Sequence, residues 1–315
     1  MMLDQLAGNH AVVSALQAAL AGGTLPHAVL LTAPDGCGRN AAARRLAADW
    51  LYPAGGAAAE AVLRGESAEV LAVAGEGKSG MIPVDRIRAL RSDVHLSSLG
   101  GAGRVVLVRD AHQMAAPAAN ALLKVLEEPP SEVLFILTAR DAALLPPTIT
   151  SRCALYPLAA LEVHTCRALL EKALPAGADA KLPQLLAVLY GGRAGLGLRV
   201  LENAERLVLL QDALAAAGAA ARQDAYALGA VFARYEGRAE DAREKRDALL
   251  GDVAGVLEAA LLGHTAPGLP PMPPAVAALL LGPVAEARKA LRGNAAPKVT
   301  FAALVVHLVQ AGKAE

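Results

Sequence analysis

The run Val105-Val106-Leu107-Val108 holds no polar residue and is followed at once by Arg109-Asp110. A short, Val-rich apolar run suits a strand buried on both faces of a parallel sheet, where no solvent face demands alternation. Val133 to Leu137 repeats the pattern and reads as a second such strand. Between the two, Leu122, Leu123 and Leu126 recur at helical spacing. Pro117 stands in the first turn of that helix, where its missing N–H costs nothing, and Pro129-Pro130 stop it. Strand, helix and strand make one unit. Open α/β sheets bind ligands at the C-terminal ends of their strands. Asp110 occupies such a position and is a candidate site residue.

The helix sequence NALLKVLEEPP, the strand after it and then Thr150-Ser151-Arg152-Cys153 together resemble the core of bacterial DNA polymerase III clamp-loader subunits of the AAA+ class. The three features occur in the family's order and spacing, and the likeness extends over nearly the whole chain. It implies an α/β fold: an AAA+ P-loop-type parallel sheet domain with helices on both faces over residues 1–157. A small three-helix lid over 158–203 and an all-α C-terminal collar over 204–315, used for oligomerisation, are implied to follow. It also implies that Arg152 points out of its own subunit into a neighbour's ATP site. In phosphoryl transfer an arginine supplied in trans is worth roughly 10³–10⁵ in rate. A lone arginine is ordinarily a helix cap or a surface ion pair; the surrounding TSRC motif gives Arg152 the sharper reading. Ser151 and Cys153 fit a role in holding the loop. Lys124 and Glu127-Glu128 read as a solvated helix face, although in relatives this helix lies near the surface that faces primed DNA.

His27 to Thr32 reads as a strand and Asn40 to Leu51 as a helix, with APDGCGRN between them. A phosphate-binding loop wraps backbone N–H groups around phosphates, with a lysine on the outer phosphates and a Ser/Thr hydroxyl on magnesium. Against the pattern G-x-x-x-x-G-K-[ST], Ala33 replaces the first glycine, Gly38 is kept, Arg39 replaces lysine and Asn40 replaces Ser/Thr; Gly36 also remains. Arginine is not a neutral replacement for a point-charge lysine in a tight loop. The resemblance adds further losses. Ala111 follows Asp110 where active relatives carry a second carboxylate. Ala139-Arg140 stand where a threonine pair senses the γ-phosphate. Leu196 stands where another arginine reaches the nucleotide, with Arg193 and Arg199 nearby. These changes remove different contacts to ATP, Mg²⁺ or water. They indicate a loop that keeps its shape without a ligand, no resident cofactor, and no ATP hydrolysis by this chain alone. The rival reading is a motor-type subunit that binds ATP through Arg39, Gly36 and Gly38.

Lys and Arg number 30 against 30 Asp and Glu, so no global field draws the chain to nucleic acid or membrane. No stretch of about 18 uncharged apolar residues occurs, which excludes a candidate membrane span. The N-terminus has an early Asp4 and no basic region, unlike a secretory signal. Cys37, Cys153 and Cys166 are odd in number and scattered, which fits a reducing cytoplasm rather than a disulfide framework. Many relatives carry a four-cysteine zinc module after the first helix of the sheet domain. Residues 50–81 contain neither Cys nor His, so no zinc module and no metal site are expected. His10, His27, His112 and His164 lack paired ligands, and no G-x-S-x-G elbow occurs.

Val13, Leu16, Gln17 and Leu20 predict an opening amphipathic helix ended by Gly22-Gly23. Ile87, Leu90 and Val94 predict a helix, with a turn at Gly100-Gly101 leading to the Asp110 strand. From about Leu158 the pattern is helical throughout. Leu161–Leu174, Leu182–Tyr190 and Leu196–Leu201 form the first trio; Leu207, Leu210 and Leu214, and later Leu249, Leu250, Val253, Val256 and Leu257, mark longer helices. HTAPGLPPMPP at 264–274 reads as a linker. Phe301, Leu304, Val305, Leu308 and Val309 form a clean apolar stripe.

The resemblance implies a hetero-oligomeric ring with motor (tau/gamma) and delta subunits, acting through the complex on the sliding clamp and primed DNA, with no membrane partner. A subunit of another AAA+ assembly, such as a helicase loader, is the alternative.

Overall fold

The computed structural model describes residues 1–77, 80–94, 103–237 and 241–311. The chain divides into two compact units, Met1–Leu161 and Glu162–Glu315. The first begins with a 3₁₀ turn, Met2–Gln5, whose Met2 and Leu3 N–H groups donate to the buried carboxylate of Asp49 at 2.6 and 2.9 Å. Then follow α1 (His10–Ala21), β1 (Ala28–Thr32), α2 (Arg39–Leu51), α3 (Ala57–Arg64), β2 (Val70–Val73) and α4 (Val84–Val94). After them come β3 (Arg104–Val108), α5 (Ala116–Glu127), β4 (Val133–Ala139), the single turn α6 (Pro147–Thr150) and β5 (Ala154–Pro157). Among the described residues the strands form one parallel sheet in the order β2-β3-β4-β1-β5.

Every residue of β1, β3 and β4 is buried, which explains their unbroken apolar sequences. Successive side chains leave on opposite faces. Leu30, Val106, Val108, Phe135 and Leu137 pack on one side with Ile87 and Leu90 of α4 and Leu122, Val125 and Leu126 of α5. Val29, Leu31, Val105, Leu107, Leu134 and Ile136 pack on the other against α1, α2 and α3. On α2 the covering side chains are largely alanines, Ala42, Ala43, Ala47 and Ala48, and small residues let a helix approach a sheet closely.

Sequence periodicity did not reveal α3, β2 or β5. β2 and β5 are four-residue edge strands of mixed exposure, too short for a pattern. Pro157 ends β5, at an edge where a missing N–H is tolerated. The predicted turn at Gly100-Gly101 lies outside the described residues.

The second unit is helical: α7 (Val163–Lys172), α8 (Leu182–Leu189), α9 (Ala194–Leu201), α10 (Ala204–Ala221), α11 (Ala225–Ala233), α12 (Ala242–Leu261), α13 (Pro274–Arg292) and α14 (Pro297–Ala311). Asn203 caps α10 by accepting from the N–H groups of Glu205 and Arg206. The segment 264–274 connects α12 to α13, whose first residue is the last of its prolines. Phe301, Leu304 and Leu308 of the predicted stripe are buried, with Val305 and Val309 packed beside them. On α10 the core is built less by leucines than the sequence suggests. Leu209, Leu210, Ala213, Ala216 and Ala220 are buried, while Leu207 and Leu214 are only partly so. A buried polar tie joins α8, α10 and α12. Arg206 donates to both oxygens of Asp252 at 2.6 and 2.8 Å, and the Tyr190 hydroxyl donates to the same carboxylate at 3.0 Å.

Candidate functional site

The sheet order places the C-terminal ends of β1, β4 and β3 side by side, and the loop Ala33–Gly38 leaves the first of these. Gly36 and Gly38 have φ of 87° and 83°, a region costly for residues with a Cβ, and Gly38 precedes the first turn of α2. The loop thus has the turn-into-helix geometry of an anion-binding site. Its interior is occupied by the protein's own charges.

Arg39, 7% exposed, folds back into the loop. One terminal nitrogen donates to the Ala33 carbonyl at 2.7 Å. The other donates to Asp35 at 2.7 Å and to Asp110 at 2.5 Å. Arg140, just past β4, closes the outer side with a 2.8 Å ion pair to Asp35. Two guanidiniums and two carboxylates therefore alternate as Arg140, Asp35, Arg39, Asp110. Burial opposes ionisation of Asp35, but the hydrogen bond from Arg39 and the charges of Arg140 and Arg39 hold its carboxyl below the usual range. Burial likewise opposes the charge on Arg39, and its bonds to Asp110 and Asp35 outweigh it.

Asp110 sits at φ 53°, and its backbone N–H donates to the hydroxyl of Thr138 at 2.9 Å. That hydroxyl, fully buried in β4, donates in turn to the side-chain oxygen of Asn40 at 3.2 Å. Ala111 is fully buried in the core and offers no carboxylate. His112, beside the cluster, has both ring nitrogens buried without a hydrogen-bond partner, and burial lowers its pKa.

The structure therefore gathers Arg39, Asn40, Asp110 and Ala111 at one sheet end. It adds Asp35, Thr138 and Arg140 as working members, of which Asp35 and Thr138 escaped notice in the sequence. The i,i+4 spacing of Asp35 and Arg39 was the available signal. For Thr138, nothing in a run of buried strand residues marks its hydroxyl as the bridge.

Arg152 belongs to a separate group. α6 is a single turn between Pro147 and Ser151, and the Thr150 and Ser151 hydroxyls donate to the carbonyls of Pro147 and Thr148. Arg152 follows, its side chain 35% exposed. Its guanidinium donates to the Thr148 carbonyl at 2.9 Å and to Glu127 at 2.8 Å. Glu127 is thus engaged in an ion pair rather than simply solvated. Cys153 packs against the sheet core, and burial pushes its thiol up to about 11. In the helical unit, Leu196 is partly buried, and Arg193 donates to the Tyr190 carbonyl.

Among the described residues, no group of three or more His, Cys, Asp or Glu could hold a metal ion. No described helix is long and apolar enough to cross a membrane.

Residues 8–162 match the family model described as DNA polymerase III, delta subunit. The DNA polymerase III subunit gamma/tau of Mycobacterium tuberculosis is 34% identical over 176 residues, 53% of this chain and 30% of that protein. The tau subunit of Escherichia coli K12 is 31% identical over 196 residues, 60% of this chain and 30% of that protein. This chain thus spans about 30% of the length of these curated relatives. Among solved structures, a DNA polymerase III gamma subunit-related protein of Thermotoga maritima shares the fold. Its TM-score is 0.53 at 16% identity, covering 94% of this chain and 99% of that one. Over residues 8–162 the sheet unit is therefore similar to the DNA polymerase III delta-subunit family, and gamma/tau subunits are among its relatives.

Proposed function

We propose that this chain is the delta-prime-type subunit of a DNA polymerase III clamp loader, a stator that does not hydrolyse ATP. The observation that carries the reading is the position of Arg39. A phosphate loop binds its ligand with unspent N–H donors and positive charge, and here the one cation inside the loop is already paired with Asp35 and Asp110. A nucleotide would have to break those pairs and sit against two carboxylates. Asp110, the acid that would help hold magnesium, is committed to Arg39, and Ala111 cannot position a water. Asn40 turns its oxygen to Thr138.

In this reading residues 158–203 act as the lid and 204–315 as the collar of a cytoplasmic hetero-oligomeric ring with tau/gamma motor and delta subunits. Arg152 is presented to the ATP site of the adjacent motor subunit, and the ring loads a sliding clamp onto primed DNA. The test has two stages. A fluorescent ATP analogue with Mg²⁺ should show no saturable binding to the purified chain up to millimolar ligand. Arg152→Ala, reconstituted with motor and delta subunits, should lower clamp-stimulated ATP turnover and clamp loading by roughly 10³-fold at that site. Intact turnover with Arg152→Ala would refute the finger role. The gamma/tau relatives favour a second reading, a motor-type subunit, and tight nucleotide binding would put it first.

A further inference from the structure

We infer that Glu127 is the positioning residue for Arg152; this rests on the finger role proposed above and assigns how the finger is aimed. Arg152 lies just past a one-turn helix, a poor platform for a long side chain with several freely rotating bonds. The guanidinium is nevertheless fixed at two points. One terminal nitrogen donates to the Thr148 carbonyl at 2.9 Å, on its own turn. The other donates to Glu127 at 2.8 Å, on a different element.

Glu127 is the last residue of α5, and Pro129-Pro130 follow one residue later, after Glu128. That helix is anchored to the sheet by Leu122, Val125 and Leu126, all buried. The orientation of the guanidinium plane is therefore set from the rigid core. Arginine carries five N–H donors; the nitrogen bound to Thr148 also donates to the Ser151 hydroxyl at 3.5 Å, which leaves Nε–H and one hydrogen of the Glu127-bound nitrogen available to a phosphate oxygen. Both partners are open to an approaching subunit, the Arg152 side chain being 35% and Glu127 50% exposed. A finger held in this plane enters the neighbour's site already oriented, and orientation is where an arginine acting on a transition state gains its effect.

The experiment uses the complete loader reconstituted with motor and delta subunits, clamp and primed DNA. kcat and KM for ATP are measured with Glu127→Ala, Glu127→Gln, Arg152→Ala and the Glu127→Ala/Arg152→Ala pair. Glu127→Ala is expected to lower kcat roughly ten- to a hundredfold with KM nearly unchanged, the loss typical of a displaced catalytic group. Glu127→Gln keeps an oxygen at the same place and should recover most of that loss. The double variant should fall no further than Arg152→Ala, because the two residues act as one unit. If Arg152→Ala lowers turnover and Glu127→Ala does not, the positioning role is wrong and the finger stands. If Arg152→Ala has no effect, the finger reading itself fails. Additive losses accompanied by a lower melting midpoint would make Glu127 merely structural. A rise in kcat on removing Glu127 would mean that it restrains the finger instead of aiming it. Either result overturns the inference.

Discussion

Arg39, at the start of α2, and Asp110, just past β3, meet in a 2.5 Å ion pair over the end of β4, the strand that separates theirs. Replacing Arg39 by alanine leaves Asp35 and Asp110 without their shared cation. Their side chains are 38% and 37% exposed, so water compensates in part. The expected loss is about 1–3 kcal/mol, below that of a fully buried pair. Adding Asp110→Asn to Arg39→Ala should recover a portion by removing one uncompensated charge. Trp50, the chain's single tryptophan, lies on α2 and reports the transition by fluorescence in urea. An unchanged midpoint in Arg39→Ala would mean that the closed loop adds nothing to stability.

In the helical unit, Asp247 of α12 accepts paired bonds from Arg288 at 2.9 and 2.9 Å and from Arg292 at 2.6 and 2.9 Å, both on α13. Burial opposes its ionisation, but the two guanidiniums outweigh burial and hold its carboxyl well below the usual carboxylate range. A folded pKa below the unfolded one stabilises fully above the unfolded value, about 4, and is lost as pH falls toward the folded one. Urea midpoints followed by helical circular dichroism should therefore drop between about pH 5 and pH 3. Asp247→Asn should begin lower at neutral pH, by about 1–2 kcal/mol given the partial exposure of the cluster. It should also lose less across the interval. Parallel curves for the two proteins would refute the assignment.

The sheet was legible because β1, β3 and β4 are buried on both faces and write that fact as unbroken apolar runs. The same physics hid β2 and β5, edge strands of four residues whose mixed burial imposes no period. On α10 the alanines pack as core, and alanine is so frequent in this chain that it carries no contrast. At the candidate site the sequence marked Arg39, Asn40, Asp110 and Ala111 as departures from a pattern. It could not show where the Arg39 guanidinium goes, since its partners come from its own loop and from Asp110, 71 positions along the chain. Glu127 and Arg152 are 25 positions apart and meet only once α5 and α6 are packed.

The thiol of Cys166, fully buried on α7, is pushed up to about 11 by burial, as is that of Cys153. The thiolate is the reactive form, so at about pH 8 both should react slowly with a disulfide reagent, Cys153 roughly a hundredfold slower than an unperturbed thiol. Cys166 also lacks access. Its labelling should follow the unfolding of the helical unit as denaturant is raised. Rapid modification of Cys166 in the native protein, mapped by peptide mass, would show that α7 opens independently of the rest.

Phe232 of α11 and Phe301 of α14 stack with ring centroids 5.0 Å apart and planes 3° from parallel. Both are buried, and they sit in one cluster with Leu228, Leu304 and Leu308. Phe301→Ala removes the stacking partner and leaves a cavity beside Phe232, with an expected cost of roughly 3–5 kcal/mol. Phe301→Leu keeps apolar volume while losing the aromatic contact, and should cost about 1–2 kcal/mol. The order of the two variants is the informative result, because a helix held mainly by its flanking leucines would make them equivalent. Helical circular dichroism in urea reads both.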